Sequence, residues 1–135
     1  MPFVEGTRFH EDDRRWGWFD VLPGFFGKYP EGELSVIRIS KGTVVGWHLH
    51  KTQSDFWFVA KGKLLVQMKN EKSGETKKIF LSERTGKALE IPPGWWHGYK
   101  CLEEGSVMLE FTTLPFGKDE ERSQTRPEEW EIELH

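Results

Sequence analysis

Hydrophobic and polar positions form short alternating runs along most of the chain, and these runs are rich in β-branched and aromatic residues. Runs of this length and composition are typical of β-strands. They cover residues 16–22, 32–40, 55–60, 63–69, 77–82, 88–92 and 106–113. Turn signals such as Pro23-Gly24 and Pro92-Pro93-Gly94 separate the runs and leave almost no room for a helix. The pattern predicts an all-β sandwich or barrel.

The length and the aromatic content support a compact β-rich protein. A chain of 135 residues is long enough for one hydrophobic core and too short for two. Ten Phe, seven Trp and two Tyr residues are a heavy aromatic load for this length, and aromatic side chains favour strands and ligand-stacking surfaces. We therefore expect a single β domain.

Charge and cysteine usage exclude several function classes. The formal net charge is −3 and the basic residues are interleaved with acidic ones, which argues against a nucleic-acid partner. No apolar run approaches the roughly 20 residues that a membrane span needs, and the acidic N-terminal segment does not resemble a secretion signal. Cys101 is the only cysteine, which excludes an intrachain disulfide and fits a cytoplasmic protein.

The stretch "GWHLHKTQSD", residues 46–55, carries the most distinctive chemistry of the chain. It holds two of the five histidines, one residue apart. Side chains alternate between the two faces of a β-strand, so His48 and His50 share one face while Trp47, Leu49 and Lys51 share the other. The two imidazoles are therefore expected to lie side by side.

Two blocks with set spacings surround this histidine pair. The first is Gly42, five residues, His48, one residue, His50, four residues, Asp55, six residues and Gly62, and the second is Gly86, five residues, Pro92, one residue, Gly94, two residues and His97. Together the blocks resemble the two motifs of the cupin superfamily, with Asp55 at the place of the usual Glu and Cys101 at the place of the usual Asn. The resemblance covers about residues 34–112. It implies a double-stranded β-helix, the jelly-roll cupin barrel, which is commonly paired as a dimer.

A narrower resemblance points to nucleotide-sugar enzymes. The segment "RFHEDDRRWGWFDVL" resembles the start of the dTDP-4-dehydrorhamnose 3,5-epimerases, and "GWHLH" with "IPPGWWHGY" falls where those enzymes have their histidine motifs. His48, His50 and Lys51 also match the His-x-His-Lys of the dTDP-4-keto-6-deoxyhexose 3,4-ketoisomerases. Both groups of enzymes remove and return a proton next to a sugar ketone. The resemblance thus implies a carbohydrate or nucleotide-sugar ligand and no required cofactor.

We expect the chain, residues 1–135, to form a single cupin domain with three parts. Residues 1–33 form N-terminal strands or an arm, residues 34–112 form the barrel with both motifs, and residues 113–135 form a charged C-terminal arm, with room for one helical turn before Pro127. Exposed barrel edges and the apolar run 16–22 favour strand exchange or sheet extension between copies. We therefore expect a homodimer.

Histidine acid–base chemistry fits the residues of the first block. Abstracting a proton next to a ketone needs a base with a pKa near the working pH, and imidazole, at about 6.5, meets this need. We expect His48 to act as the base and His50 as a second proton carrier. A carboxylate beside an imidazole fixes its tautomer and stabilises the protonated form, and this role is assigned to Asp55.

Cationic and aromatic side chains near these motifs are candidates for substrate binding. Arginines suit phosphate oxygens, and aromatic rings offer faces for a sugar or a base. The candidates are Arg14 (or its neighbour Arg15), Arg38, Trp57, Trp95, Trp96 and Tyr99.

Three positions depart from the epimerases that the chain resembles. Val45 replaces the Arg before the first histidine motif, Asp55 falls at the place of a catalytic Lys, and Glu110 aligns near the catalytic Tyr. These departures affect the acid and the groups that stabilise an oxyanion. The resemblance therefore predicts proton transfer next to a ketone more firmly than the 3,5-epimerase reaction itself.

Two rival functions remain open from the sequence. His48, His50, Asp55 and His97 form a donor set that suits Mn²⁺, Fe²⁺, Ni²⁺ or Zn²⁺, with Gln53 as a reserve ligand. This set describes a metal-dependent cupin that acts as a hydrolase, an isomerase or an oxygenase. A cupin that binds a sugar or an effector without catalysis is the third function class.

Overall fold

The computed structural model describes residues 3–123, which form eleven strands and one short helix. The elements are β1 (Arg8–Glu11), β2 (Trp16–Phe19), α1 (Phe25–Lys28), β3 (Glu33–Ile39), β4 (Val44–His50), β5 (Asp55–Lys61), β6 (Lys63–Asn70), β7 (Thr76–Ser82), β8 (Leu89–Ile91), β9 (Trp95–Cys101), β10 (Ser106–Thr112) and β11 (Glu121–Ser123). Within residues 3–123 no helix is long and apolar enough to cross a membrane. The helical turn expected before Pro127 lies outside the described residues.

Two antiparallel sheets form the barrel. The four-stranded sheet has the order β3-β10-β5-β8, and the five-stranded sheet has the order β11-β4-β9-β6-β7. Strands β1 and β2 form a separate two-stranded ribbon. Most strands that pair within a sheet are distant in sequence, because the chain crosses repeatedly from one sheet to the other. This architecture agrees with the predicted all-β barrel.

Each of the seven predicted runs contains a strand, and the strand expected around the histidine pair is β4, but the sequence pattern missed the other three strands. Strand β1 is fully exposed, β9 carries Gly98 at its centre, and β11 lies in the charged C-terminal arm. None of these segments has the apolar alternation that marks a strand. Strand β9 forms because β4 and β6 both pair with it, which is a tertiary effect.

The core lies between the two large sheets, and its centre is formed by β5, β6, β8 and β10. Leu64, Val66, Leu81 and Leu89 belong to it and have no exposed surface. The outer face of the four-stranded sheet is also covered, because the ring of Phe25 in α1 packs edge-on against Phe56 with a centroid distance of 4.7 Å. This second layer explains why burial in β5 is continuous and does not alternate.

The turn between β5 and β6 depends on Gly62. This residue has φ +85°, and a Cβ there would overlap Ser106 Oγ and lie 2.8 Å from Ser106 Cα. We expect Gly62→Ala to lower the free energy of unfolding by roughly 2–4 kcal/mol, from left-handed strain and overpacking together. Gly74→Ala is the matched control, since Gly74 has φ +76° but no atom within 4 Å of the added Cβ. Equal losses for both variants in urea unfolding would contradict the steric argument.

Candidate active site

A cavity of about 360 Å³ opens between the two large sheets. One wall, on β4 and β9, carries His48, His50 and His97. The facing wall, on β5 and β10, carries Asp55 and Glu110. The histidines of the two motifs thus meet in one cavity, as the strand alternation at residues 46–51 predicted for the first two.

His50 is paired with a carboxylate from the C-terminal arm. Its Nδ1 lies 3.1 Å from Asp119 Oδ2, and its side chain is only 12% exposed. An ionised carboxylate can only accept a hydrogen bond, so Nδ1 carries the proton and donates it. In the neutral imidazole the lone pair is then on Nε2, which is the nitrogen that a general base uses.

Asp119 is itself held by the loop between β4 and β5. Its carboxylate accepts hydrogen bonds from the backbone N–H of Lys51 at 3.0 Å and of Thr52 at 2.9 Å, and from the Thr52 hydroxyl at 2.5 Å. Burial raises the pKa of Asp119, but these hydrogen bonds and the one from His50 outweigh burial and lower it. The group therefore stays ionised and fixes the tautomer of His50.

A second carboxylate lies between His50 and His97. Asp55 Oδ2 is 3.5 Å from His50 Nε2 and 3.4 Å from His97 Nε2, while Gln53 Nε2 donates to Asp55 Oδ1 at 2.7 Å. Burial raises the pKa of Asp55, but the contact with His97 and the hydrogen bond from Gln53 keep it below its usual value. The rings of His50 and His97 stack with a centroid distance of 5.4 Å.

The centre of this arrangement lacks a hydrogen-bond donor when both imidazoles are neutral. His97 Nδ1 donates to the carbonyl oxygen of Trp95 at 2.9 Å, so the Nε2 of a neutral His97 also presents a lone pair. Two lone pairs and the ionised Asp55 would then face one another without a donor. A proton shared with one Nε2, or a bound cation, removes this repulsion.

His48 lies nearer the rim and has different partners. Its Nδ1 is 2.8 Å from Glu121 Oε1 and 3.2 Å from Ser123 Oγ, both in the C-terminal arm. Burial lowers the pKa of His48, and the nearby Glu121 carboxylate only partly opposes this effect. His48 does not belong to the group of His50, Asp55 and His97, whose ligand atoms lie within 4.8 Å of one another.

Glu110 is a half-buried carboxyl on the wall that faces the histidines. Its Oε2 accepts a hydrogen bond from Trp57 Nε1 at 2.8 Å. Burial and the nearby charge of Asp55 raise the pKa of Glu110, although the hydrogen bond from Trp57 opposes the shift. Burial and the charge of Glu110 also raise the pKa of Tyr99 to about 12. Glu110 therefore has a stronger tendency to hold a proton than an exposed glutamate.

Comparison with known proteins places this chain in a family. Residues 10–120 match the family described as the polysaccharide biosynthesis C-terminal domain. The chain belongs to this family. This chain is also 30% identical to the spore coat polysaccharide biosynthesis protein SpsL of Bacillus subtilis, over 92% of this chain and 85% of that protein.

Solved structures confirm the predicted cupin barrel of this family member. The dTDP-4-dehydrorhamnose 3,5-epimerase of Sulfolobus tokodaii is 26% identical, with a TM-score of 0.68, over 94% of this chain and 87% of that one. A double mutant of ChmJ, a 3'-monoepimerase from Streptomyces bikiniensis, solved with dTDP, has a TM-score of 0.78 and 14% identity over 93% of this chain and 69% of that one. The resemblance to these epimerases is therefore confirmed.

Not every predicted binding residue of this family member reaches the cavity. Trp57 and Tyr99 line it, whereas Arg14, Arg38 and Trp96 do not. Arg38 lies on the exposed face of β3, because Ser35 and Ile37 of the same strand point inward.

The other two of these residues have partners elsewhere. Arg14 lies in the exposed β1–β2 turn and contacts Asp12. Trp96 packs against Trp47 on the outer face of the five-stranded sheet, and the Arg122 guanidinium lies 5.4 Å from its ring. The sequence shows which residues share a face of a strand but not which face becomes the cavity wall.

The sequence did not indicate Asp119 and Phe116 as residues of the site. Asp119 is one acidic residue among several in "GKDEERS", and no local pattern distinguishes it. Phe116 is 92% exposed and lies at the lining of the cavity. The aromatic residue Phe116 in the short segment between β10 and β11 is the one sequence signal that could have indicated a contact with a ligand.

Proposed function

We propose that this protein is a sugar-nucleotide epimerase or ketoisomerase, and that His50 is the base that removes a proton from the carbon next to the sugar ketone. The observation that carries the proposal is the pair of His50 and Asp119 inside the cavity, because it fixes the proton on Nδ1 and leaves Nε2 as the acceptor. The Nδ1 of each of the two histidines contacts a carboxylate, but we assign the role of base to His50 instead of His48, because His50 is 12% exposed and its partner Asp119 is held by backbone N–H groups, whereas His48 is 34% exposed at the rim.

The remaining groups suit the charges that develop in this reaction. When His50 takes the proton it becomes an imidazolium, which the ionised Asp119 stabilises. The ketone oxygen becomes an enolate, and a proton shared between Asp55 and His97 Nε2 can be donated to it as a hydrogen bond. This donor takes the place of the cationic side chains that the epimerases carry at the positions of Val45 and Asp55.

A nucleotide sugar is the proposed ligand. Relatives of this family member include an epimerase named for a dTDP-linked sugar and a 3'-monoepimerase solved with dTDP. A cavity of about 360 Å³ lies at the small end of ligand sites, which are roughly 300–1,000 Å³. We therefore place the sugar inside, against Trp57 and Tyr99, and the nucleotide at the mouth beside the exposed ring of Phe116.

Hydrogen exchange tests the proposed reaction directly. The untagged protein would be incubated in D₂O with the dTDP-, UDP- and GDP-linked forms of 4-keto-6-deoxyglucose, and the sugars followed by proton NMR. We expect deuterium at a carbon next to the ketone in at least one of them. No exchange above the protein-free rate in any of them would overturn the proposal. Stabilisation in a thermal melt without exchange would instead indicate a non-catalytic binding protein.

A metal-dependent isomerase is the second candidate, favoured by the group of His50, Asp55 and His97. Two imidazoles and one carboxylate, each imidazole with its Nδ1 held by an acceptor, fit a divalent transition metal. Such an ion would polarise the ketone as a Lewis acid. His48 stands apart from the group, and Gln53 is engaged with Asp55.

Metal analysis separates the two candidates. The first predicts that untagged protein contains no stoichiometric metal and keeps its exchange activity in EDTA. Loss of exchange in EDTA, with recovery on adding Mn²⁺, Fe²⁺, Ni²⁺ or Zn²⁺, would favour the second candidate.

We also propose that the protein is a homodimer. Strand β3 forms the edge of the four-stranded sheet, and Leu34 and Val36 on its outer face are 48% and 65% exposed. An apolar edge strand of this kind pairs readily with another copy. Light scattering is expected to give twice the chain mass of 15.8 kDa, and a mass equal to that of one chain would contradict the proposal.

A further inference from the structure

We infer that Glu110 is the acid of the reaction and returns a proton to the substrate on the face opposite His50. The inference rests on the proposed function and adds a second catalytic residue to it.

The opposed walls of the cavity are the first argument. His50 is on β4 of the five-stranded sheet, and Glu110 is on β10 of the four-stranded sheet. Both side chains line the same cavity. An enolate is planar at the reacting carbon, so inversion requires the proton to leave from one face and return to the other. A base on one wall and an acid on the facing wall meet this requirement for a sugar bound between them.

Among the described residues, three carboxyl groups line the cavity from the four-stranded sheet: Glu33, Asp55 and Glu110. Asp55 is in contact with two histidines and Gln53, which favour its ionised form. Glu33 is exposed and accepts a hydrogen bond from the backbone N–H of Phe116 at 3.3 Å. Glu110 lines the cavity with its Oε2 held by Trp57, and partial burial together with the nearby charge of Asp55 raises its pKa.

The hydrogen bond from Trp57 orients this carboxyl. Because the indole N–H donates to Oε2, that oxygen acts as an acceptor and Oε1 is the one that carries the acidic proton. The indole itself is buried and packs edge-on against Tyr99 with a centroid distance of 5.5 Å. Trp57 therefore serves as a positioning residue for Glu110.

The proton transfers balance as follows. His50 Nε2 accepts the proton from the carbon next to the ketone, and the electrons of the broken C–H bond form the enolate. The enolate carbon then takes the Oε1 proton of Glu110, and the new C–H bond forms on the opposite face as the ketone is restored. His50 is left protonated and Glu110 ionised. Exchange of one proton with water, through the open mouth of the cavity, returns both groups to their starting states.

The variant Glu110→Gln separates the two halves of this sequence. The amide keeps the size of the side chain and an oxygen that can accept from Trp57, but it has no acidic proton. With the nucleotide sugar that exchanges in the wild type, we expect deuterium still to enter at the original configuration, while formation of the inverted sugar falls by roughly 10²-fold or more. Glu75→Gln is the comparison, because Glu75 is exposed and does not line the cavity, and we expect it to keep the wild-type ratio of inversion to exchange.

The possible results test the proposed function and the role of Glu110 separately. Absence of exchange in the wild type overturns the proposed function, whereas inversion by Glu110→Gln near the wild-type ratio to exchange overturns only the role of Glu110. Equal loss of exchange and inversion in a variant with an unchanged melting temperature also overturns that role.

A single turnover of the wild type in D₂O tests the same role without a variant. The inverted sugar should carry deuterium at the inverted carbon, and substantial retention of the original hydrogen would show that one group does both transfers.

Discussion

Replacing His50 with Gln is expected to slow deuterium exchange into the sugar by roughly 10²–10⁴-fold, the usual contribution of a positioned general base. The glutamine amide can still occupy the space between Asp119 and Asp55, but it cannot accept a proton at neutral pH. The measurement is the exchange rate at saturating sugar, with the melting temperature recorded in parallel.

His10→Gln is the matched control for this variant. His10 also contacts a carboxylate, Asp12, at 2.9 Å, but it lies on the exposed strand β1 and does not line the cavity. We expect wild-type exchange from this control. If His48→Gln loses exchange and His50→Gln keeps it, the base is His48 and the proposed arrangement is wrong.

Replacing Asp119 with Asn is expected to slow exchange by roughly 10²-fold or more, since loss of the orienting carboxylate in a Ser-His-Asp triad costs on the order of 10⁴-fold in kcat. The amide nitrogen can donate to His50 Nδ1, which favours the tautomer with the proton on Nε2 and removes the basic lone pair from the cavity. We expect the loss in kcat rather than in KM.

The tautomer gives a readout that a purely structural effect would not move. Nitrogen-15 NMR of His50 should show the proton on Nδ1 in the wild type and on Nε2 in Asp119→Asn. Glu120→Gln is the control, because Glu120 is adjacent but 78% exposed and paired only with Lys51 among the described residues. Unchanged kcat and an unchanged tautomer in Asp119→Asn would contradict the role of Asp119.

Much of the barrel could be predicted from local patterns. Alternation and turn residues located seven strands, and the same alternation placed His48 and His50 on one face of β4. The spacing of glycines and histidines in the two blocks indicated the cupin barrel, because such turns and ligand positions depend on short-range geometry. Strands β1, β9 and β11 escaped prediction, since pairing with other strands, and not their own composition, makes them extended.

The chemistry of the site depended on contacts between distant segments. Asp119 is 69 residues from His50 in the chain, and Glu110 comes to face the histidines only because β10 pairs with β5 in the opposite sheet. The same closure turned Arg38 outward and His48 toward Glu121. The sequence around each of these residues does not indicate where its side chain lies in the structure.

The sequence by itself determined an all-β cupin chain with a histidine pair on one strand face and chemistry suited to a ketone. The tertiary structure decided which carboxylate contacts each imidazole, which carboxyl has a raised pKa and which arginines lie outside the cavity. The physical reason is that strand periodicity specifies which side chains share a face. Only the packing of one sheet on another specifies which face is enclosed and what lies across from it.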